Sequence, residues 1–233
     1  MSDPTTAEGL ATRLNGLRQT INSLARRYGV DAAQLLAVSK TRTSGEIRAC
    51  AALGQRQFAE NYLQEALGKI ADCGDLPLTW HFIGRIQTNK TRPIASHFDW
   101  VHTLDRPKIA QRLHDQRPPK AGPLNVCLQV NLDDAPNKGG VSPAQLPELL
   151  ATVKKLDRLT LRGLMTIPEP ADSLVSQRQP YRQLADLLER MSGVCPGMDT
   201  LSMGMSADME AAIAEGATLL RIGTALFGPR QKK

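Results

Sequence analysis

The sequence lacks the long apolar segments and clustered cysteines that would place it in a membrane or an oxidising compartment. No stretch approaches the roughly 20 apolar residues that a spanning helix needs, and the N-terminal MSDPTTAEGL has neither the basic nor the apolar region of a secretory signal. The cysteines contain no CxxC pair, so neither a zinc motif nor a disulfide framework is predicted. We expect a cytoplasmic protein without a metal site, in which the cysteines are small buried apolar residues. They are Cys50, Cys73, Cys127 and Cys195.

Aromatic residues are also scarce, with two Trp, three Tyr and four Phe. Lys and Arg number 29 against 23 Asp and Glu, a formal net charge of +6. This excess favours an anionic partner, either nucleic acid or a small anion. The basic residues are dispersed apart from the tail at residues 231–233, and few aromatic rings are available to stack on bases. The composition therefore favours a small anionic ligand, with a basic RNA- or protein-binding module as an alternative.

The chain of 233 residues is long enough to bury one large core, and we expect a single domain over residues 1–233. Apolar residues recur at spacings of three and four over residues 7–28, which predicts an amphipathic N-terminal helix. They are Leu10, Leu14, Leu17, Ile21 and Leu24.

After this helix, eight short apolar runs alternate with amphipathic segments. The predicted strands are Leu35–Ser39, Gln57–Asn61, Trp80–Gly84, Trp100–Leu104, Asn125–Asn131, Leu159–Thr166, Thr200–Met205 and Leu219–Thr224. The predicted helices are Ser44–Leu53, Tyr62–Ile70, Asn89–His97, Arg106–Arg117, Pro143–Leu156, Gln179–Met191 and Ala207–Glu215. Parallel strands need such crossovers, so the alternation predicts an α/β fold, a (β/α)8 TIM-type barrel over about residues 35–228, with the N-terminal helix packed on it. An open doubly wound sheet is the alternative.

Lys40 follows the apolar run of the first predicted strand, in the order Ala-Val-Ser-Lys-Thr. Functional groups of such barrels collect at the carboxyl ends of the strands. A lysine there can be partly desolvated, which lowers its pKa and frees its amine to form a Schiff base. Taken alone, the position is more typical of a solvated lysine that leaves a strand, because lysines are mostly exposed.

The last two barrel units carry a second group of candidates, where such barrels commonly bind phosphate. Ser206 is predicted at the start of the helix after strand seven, to receive phosphate oxygens or to cap the helix. Gly223 and Thr224 are predicted to end strand eight, where the backbone can approach a phosphate closely, or to form a tight turn. Arg221 lies inside an apolar strand, and a charge buried there requires a partner.

Several separate motifs together resemble one family, the pyridoxal phosphate homeostasis proteins. They are LAVSK at 36–40, ENY at 60–62, WHFIG at 80–84, QTNK at 87–90 and the stretch from Ser202 to Gly228. The match runs from about Leu35 to Gly228 in the same order and spacing. The family in turn resembles the barrel half of alanine racemase.

The resemblance implies a cofactor, pyridoxal 5′-phosphate, and six residues that contact it. Lys40 would hold it as an imine, Arg221 would lie beside the pyridine nitrogen, and Asn61 would lie near the phenolic oxygen. The implied phosphate contacts are Ser206, Gly223 and Thr224.

Two positions depart from the family pattern. Ala59 stands where the family usually has Gly, and Pro136 stands where an acidic residue is common, which leaves the shape and role of the Asn131–Gly140 loop open. His81 is functional only through the resemblance, and by itself it is typical of a hydrogen-bonded histidine within a strand.

The residues favour a holder of the cofactor, with no catalytic residue, over an enzyme. Arg221 can only donate hydrogen bonds, so it should keep the pyridine nitrogen unprotonated and weaken the ring as an electron sink. Racemases take a second acid/base group, a tyrosine, from an additional β domain, which we do not expect here. Tyr62 is the only tyrosine predicted near the rim, and it favours a packing role.

We therefore expect a protein that buffers pyridoxal 5′-phosphate or delivers it to apo-enzymes, and a monomer rather than a dimer. Two alternatives stay open. One is a weak amino-acid racemase or lyase, and the other is a basic RNA- or protein-binding module that uses the cofactor as a sensor.

Overall fold

Eight parallel strands close into a barrel in the computed structural model, which describes residues 7–133 and 138–229. Each strand pairs with the next, and β8 returns to pair with β1. The strands are β1 (Gln34–Val38), β2 (Gln57–Glu60), β3 (Thr79–Phe82), β4 (Trp100–Leu104), β5 (Leu124–Gln129), β6 (Leu159–Met165), β7 (Thr200–Ser202) and β8 (Leu219–Ile222). The predicted (β/α)8 barrel is thus confirmed, and the pairing of β8 with β1 excludes the open sheet.

Helices separate consecutive strands and form the outer layer. They are α1 (Ala7–Tyr28), α2 (Ser44–Ala52), α3 (Leu63–Asp72), α4 (Thr91–His97), α5 (Pro107–Gln116), α6 (Leu146–Val153), α7 (Leu174–Ser192), α8 (Met209–Ala214) and α9 (Thr224–Phe227). Short 3₁₀ turns cover Thr88–Lys90 and Pro119–Ala121. Every predicted helix is present. Among the described residues, no helix is both long enough and apolar enough to cross a membrane.

The N-terminal helix α1 covers the barrel beside β8, after which the described residues form only the four-residue α9. All five residues of its predicted apolar stripe are buried, and α1 contacts both α8 and α9. Arg13 Nε donates to the carbonyl of Leu226 at 2.6 Å, and the Tyr28 hydroxyl donates to Glu210 at 2.9 Å. The helix is therefore fixed to the last barrel unit by apolar packing and by specific polar contacts.

The core has two parts. The larger lies between the strands and the helices, and the smaller lies inside the barrel, where Leu36, Val38, Ala59 and Ile83 pack together. Successive strand residues point to opposite faces, so Glu60 points with Phe58 toward the helices, whereas Ala59 points inward. The four cysteines are buried as predicted, and burial raises the pKa of Cys50 and of Cys127 to about 12.

Two predicted boundaries near the candidate site are wrong. Ser206 does not begin the helix after β7, because α8 starts at Met209 and the Asp208 carboxylate accepts the Met205 N–H at 2.6 Å to close a turn first. Strand β8 ends at Ile222, so Gly223 and Thr224 do not end the strand but lead directly into α9. The spacing of apolar residues does not show where a short polar turn separates a strand from a helix, which explains both errors.

Candidate ligand site at the carboxyl-terminal rim

The predicted site residues gather on one side of the rim. Lys40 follows β1, Asn61 follows β2, Ser206 follows β7, and Gly223 follows β8. In the closed barrel these strands are neighbours in the order β7, β8, β1, β2. Barrel closure therefore brings together residues that lie more than 160 positions apart in the chain.

Ser206 and the Gly223–Thr224 segment are joined directly. The Ser206 Oγ accepts the backbone N–H of Ala225 at 3.3 Å, which ties the loop after β7 to the first turn of α9. A Cβ at Gly223 would lie 3.4 Å from the carbonyl oxygen of Val38, so the chain packs closely on β1 at this point. The hydroxyls of Ser206 and Thr224 thus belong to one compact segment of the rim.

Lys40 lies on a tight turn at the end of β1 and is partly exposed. The Arg42 N–H donates to the Ser39 carbonyl at 3.0 Å, and Thr41, the third residue of the turn, has a φ of 65°. A threonine seldom adopts this left-handed conformation, which costs about 1–3 kcal/mol and persists only where the surroundings impose it. Here the Glu65 carboxylate accepts the Thr41 N–H and secures the turn.

A buried ionic cluster supports this turn from the helix side. We call Ser39, Glu60, Glu65 and Lys69 the Glu60–Lys69 cluster. The Lys69 Nζ lies 2.8 Å from Glu60 Oε1 and also donates to the Ser39 carbonyl at 2.6 Å. The Ser39 hydroxyl donates to the same Glu60 oxygen at 2.6 Å. Desolvation raises the pKa of Glu60, although Lys69 and Ser39 act in the opposite direction.

Sequence reasoning missed this cluster. Lys69 looks like an ordinary helix lysine, yet it follows Leu63 and Ala66 at a spacing of three, and all three are buried. A charged residue on the apolar face of an amphipathic helix needs a buried partner. That spacing was the available signal, but it could not identify Glu60 as the partner.

Arg221 is buried, with 4% of its surface exposed. Its Nη1 donates to Ser202 Oγ at 2.9 Å, and its Nη2 donates to the Thr166 carbonyl at 2.8 Å. In the part of the chain that the structure describes, no carboxylate forms an ion pair with it. The predicted need for a partner is therefore met by neutral acceptors, and desolvation lowers the pKa of Arg221.

A line of hydrogen bonds continues from Arg221 through the barrel interior. Ser202 Oγ lies 2.7 Å from His102 Nδ1, and His102 Nε2 lies 2.9 Å from His81 Nδ1. The His81 ring stacks on Trp100 with centroids 5.4 Å apart, and burial lowers the pKa of His81 to about 3. We call Arg221, Ser202, His102 and His81 the histidine relay.

Sequence reasoning considered His81 alone and did not predict the relay. His102 lies two residues after Trp100 on β4, so both point to the interior face. This alternation was the only local signal. Because the links join β3, β4, β7 and β8, the relay exists only in the closed barrel.

Asn61 contributes a buried polar atom to the rim. Its Oδ1 has no hydrogen-bond partner among the described residues. Its backbone is packed against Gly84, where a Cβ would lie 2.0 Å from the Asn61 carbonyl oxygen. Ala59, a departure from the family pattern, is fully buried in the inner cluster, and Leu36 and Val38 pack beside it.

Two further sequence expectations concern the rim. Tyr62 is 56% exposed, but it is not the only tyrosine there, because the Tyr181 hydroxyl reaches Asp208 after β7 at 2.7 Å. Pro136 lies outside the described residues. Lys138, in the same loop, forms ion pairs at 2.8 Å with both Asp133 and Glu169.

This side of the rim combines an amine, a buried cation and a segment with hydroxyl groups. Such a set suits a small ligand with an anionic group at one end and an electrophilic carbon at the other. No group of three or more His, Cys, Asp or Glu within the described ranges could hold a metal ion.

The barrel defines the class of protein. Residues 12–231 match the model of the alanine racemase N-terminal domain. Within that class, the chain belongs to the family of pyridoxal phosphate homeostasis proteins. It is 55% identical to the family member from Pseudomonas aeruginosa, covering 95% of this chain and 96% of that protein. It is 49% identical to the family member from Escherichia coli, and the match covers 95% of this chain and 97% of that protein.

Solved structures agree with this assignment. PipY from Synechococcus elongatus with PLP bound is 38% identical, with a TM-score of 0.84, and the match covers 94% of this chain and all of that one (100%). The structure of PipY without PLP is 39% identical in sequence and has a TM-score of 0.85. Alanine racemase from Corynebacterium glutamicum is similar in fold alone, at 16% identity and a TM-score of 0.68, with 97% of this chain matched to 62% of that one.

Proposed function

We propose that this chain binds pyridoxal 5′-phosphate at the β7–β8–β1–β2 side of the rim and buffers it or delivers it to apo-enzymes. The observation that carries the proposal is Arg221, a buried cation with neutral partners, on the same side of the rim as Lys40. The names of the relatives and the PLP-bound PipY structure support it.

The residues present fit this cofactor at several points. Ser206, Gly223 and Thr224 would receive the phosphate, because their segment offers hydroxyls and a backbone without a Cβ. Arg221 would lie beside the pyridine nitrogen. Asn61 would lie near the phenolic oxygen, to which its side-chain amide N–H, and not its amide oxygen, could donate.

Lys40 would hold the cofactor through a Schiff base. When bound, the cofactor supplies an aldehyde that condenses with an amine and a ring that accepts electrons. The strained turn at Thr41 and the Glu60–Lys69 cluster give Lys40 a defined position, so little ordering remains to be done when the ligand arrives. The phosphate contacts and the Schiff base are separate anchors, which suits a protein that must also release its ligand.

The chemistry of the rim favours holding over catalysis. A guanidinium cannot accept a hydrogen bond, so Arg221 would keep the ring nitrogen unprotonated and the ring a weak electron sink. The Tyr181 hydroxyl donates to Asp208, and burial raises its pKa far above neutrality, so it is a poor acid/base group.

The visible spectrum of the purified protein tests the ligand and its attachment together. We expect an imine band that borohydride reduction fixes on the peptide containing Lys40, and we expect Lys40→Ala to abolish that band while the fold is kept, because Lys40 fills no core space. Lys90→Ala, which removes another partly exposed lysine, in the 3₁₀ turn between β3 and α4, should keep the band. A full-strength imine band in Lys40→Ala would exclude Lys40.

Transfer and turnover assays separate the holder from an enzyme. We expect the loaded protein to activate a separate apo-enzyme, and we expect free amines to speed release. Deuterium should not enter the α-carbon of any common amino acid at an enzyme-like rate. Rapid entry for one amino acid would instead favour a racemase-like enzyme.

A further inference from the structure

The histidine relay has a direction that its first member imposes. Arg221 can only donate hydrogen bonds, so Ser202 Oγ accepts from its Nη1. The Ser202 hydrogen is then available for His102 Nδ1, 2.7 Å away. His102 would accept at Nδ1 and carry its proton on Nε2, which donates to His81 Nδ1 at 2.9 Å. His81 would in turn carry its proton on Nε2.

The opposite direction leaves more groups without partners. If His102 donated from Nδ1, Ser202 would accept twice, and its own hydrogen would find no acceptor among the described residues. His81 would then donate from Nδ1, and its Nε2 would be an unpaired acceptor. In the first direction only one group, the N–H at His81 Nε2, lacks a partner within the described chain. Buried polar groups without partners are costly, so the first direction is favoured.

In that direction every dipole of the relay turns its negative end toward Arg221. The Ser202 oxygen faces the guanidinium, and each following O–H or N–H points away from it. Aligned dipoles of this kind stabilise a buried cation without neutralising it. They take the place of a direct carboxylate contact, which Arg221 does not make with any of the described residues.

The other titratable groups near Arg221 do not replace the relay. Cys127 on β5 and Tyr181 on α7 act on it through space, but burial raises the pKa of both thiol and phenol far above neutrality, so they stay uncharged. Asp208 also favours the charged form of Arg221 through space, but it makes no direct contact with the guanidinium, whose described partners are Ser202 and Thr166. On the relay side, His81 and His102 face one another inside the barrel.

We propose that His81 and His102 are positioning residues for Arg221: neutral Nε2–H tautomers that orient Ser202 and hold the guanidinium as a cation aimed at the ring nitrogen of the ligand. The tautomers follow from this chain alone. The effect on the ring nitrogen rests on the proposed function.

The first test uses the cofactor-free protein and ¹⁵N-labelled histidine. Long-range proton–nitrogen correlation spectra distinguish Nδ1–H, Nε2–H and doubly protonated rings. Of the four histidines, we expect His81 and His102 to remain neutral Nε2–H tautomers from about pH 8 to about pH 5.5, whereas His114, whose pKa is raised by its hydrogen bonds with Asp115 and Asp157, becomes protonated. His114→Gln assigns that signal. A proton on Nδ1 of His102, or a charged His102 at neutral pH, would overturn the proposal.

The second test uses protein loaded with pyridoxal 5′-phosphate labelled with ¹⁵N in its ring. His102→Leu breaks the relay, and we expect the pH at which the ring nitrogen protonates to rise by about one unit or more, since the opposing cation is no longer held in place. His102→Asn keeps a side-chain oxygen near the Nδ1 position that can accept from Ser202, and it should titrate like the parent. Equal titration of all three proteins would show that the histidines do not position Arg221.

The proposal can still be tested if a variant does not fold or if the cofactor does not bind. If His102→Leu does not fold, Ser202→Ala breaks the relay one link earlier and takes its place in the comparison. If the protein fails to bind the cofactor at all, the proposed function fails, yet the histidine spectra still confirm or reject the direction of the relay.

Discussion

Two buried polar groups flank the rim of this barrel, and they handle charge in opposite ways. The Glu60–Lys69 cluster lies between the strands and α3, beneath the Lys40 turn, and pairs an anion with a cation at 2.8 Å. The histidine relay lies inside the barrel and ends at Arg221, a cation with only neutral partners in the described part of the chain.

The difference shows that one fold can bury a charge either beside an opposite charge or among neutral partners. In the Glu60–Lys69 cluster the Lys69 cation pairs with the carboxylates of Glu60 and Glu65, so its charge is compensated inside the protein and the cluster serves to fix the turn. In the histidine relay, dipoles stabilise the cation but leave its net charge in place, so a positive field persists at the rim. An anionic or electron-rich ligand can use that field.

Breaking the Glu60–Lys69 cluster should have the largest effect on stability. Lys69→Met leaves the buried Glu60 carboxylate without its cation, and we expect the free energy of unfolding to fall by about 3–5 kcal/mol. Because desolvation already raises the pKa of Glu60, the loss should grow as the pH rises and the carboxyl group ionises. Urea unfolding followed by circular dichroism at acidic and alkaline pH measures both effects.

A double variant provides the control for this prediction. Lys69→Met combined with Glu60→Gln removes both buried charges and leaves only the partly exposed Glu65 carboxylate. It should recover most of the lost stability, since a neutral amide can still accept from the Ser39 hydroxyl. If the double variant is as unstable as Lys69→Met, the loss comes from packing rather than from an uncompensated charge, and the contrast between the two groups fails.

The contributions of the two groups to the free energy of unfolding should also change with pH in opposite directions. The pKa of a histidine in the unfolded chain is near 6.5, whereas burial lowers the pKa of folded His81 to about 3. Burial also lowers the pKa of His102. Stability from the relay is therefore present above pH 6.5 and lost as the pH falls. We expect a loss of about 1 kcal/mol per pH unit from each histidine below that value.

The contribution of Glu60 to stability has the opposite pH dependence. Its pKa is raised in the folded protein, so its contribution is present below the ordinary value of 4.5 and lost as the pH rises through the folded value. Urea titrations from about pH 7 to about pH 5.5 should show a smaller slope for His81→Leu than for the parent, whatever its absolute stability. An unchanged slope would mean that His81 is not held neutral.

The smallest effect concerns Ala59, which lies on the inner face between the two groups. Ala59→Gly restores the residue usual in the family, and we expect a loss of about 0.5–1 kcal/mol from backbone freedom and one missing methyl group. Thermal unfolding measures the loss, and retention of the cofactor on dilution should not change. A marked change in retention would show that the backbone at this position takes part in binding.

Much of the molecule could be predicted from local pattern. The α1 stripe, the eight strands and the position of Lys40 at the end of β1 all follow from the spacing of apolar residues and from where each run stops. Boundaries in short polar turns could not be predicted, since the hydrogen bond of Asp208 to Met205 outweighs periodicity there. The partners of Lys69 and His102 could not be predicted either, because each partner lies on another strand or helix.

The sequence by itself therefore determined the order and type of the elements, the buried face of α1 and the identity of the residues that reach the rim. Those signals are local, since the periods of helices and strands act over a few neighbouring residues. Only the tertiary structure decided that β8 lies beside β1, that Ser206 meets Ala225, that Glu60 meets Lys69 and that Arg221 is linked to His81. These contacts depend on the closure and register of the barrel. The identity of a donor or acceptor in the sequence does not indicate which distant partner that closure will bring within hydrogen-bond distance.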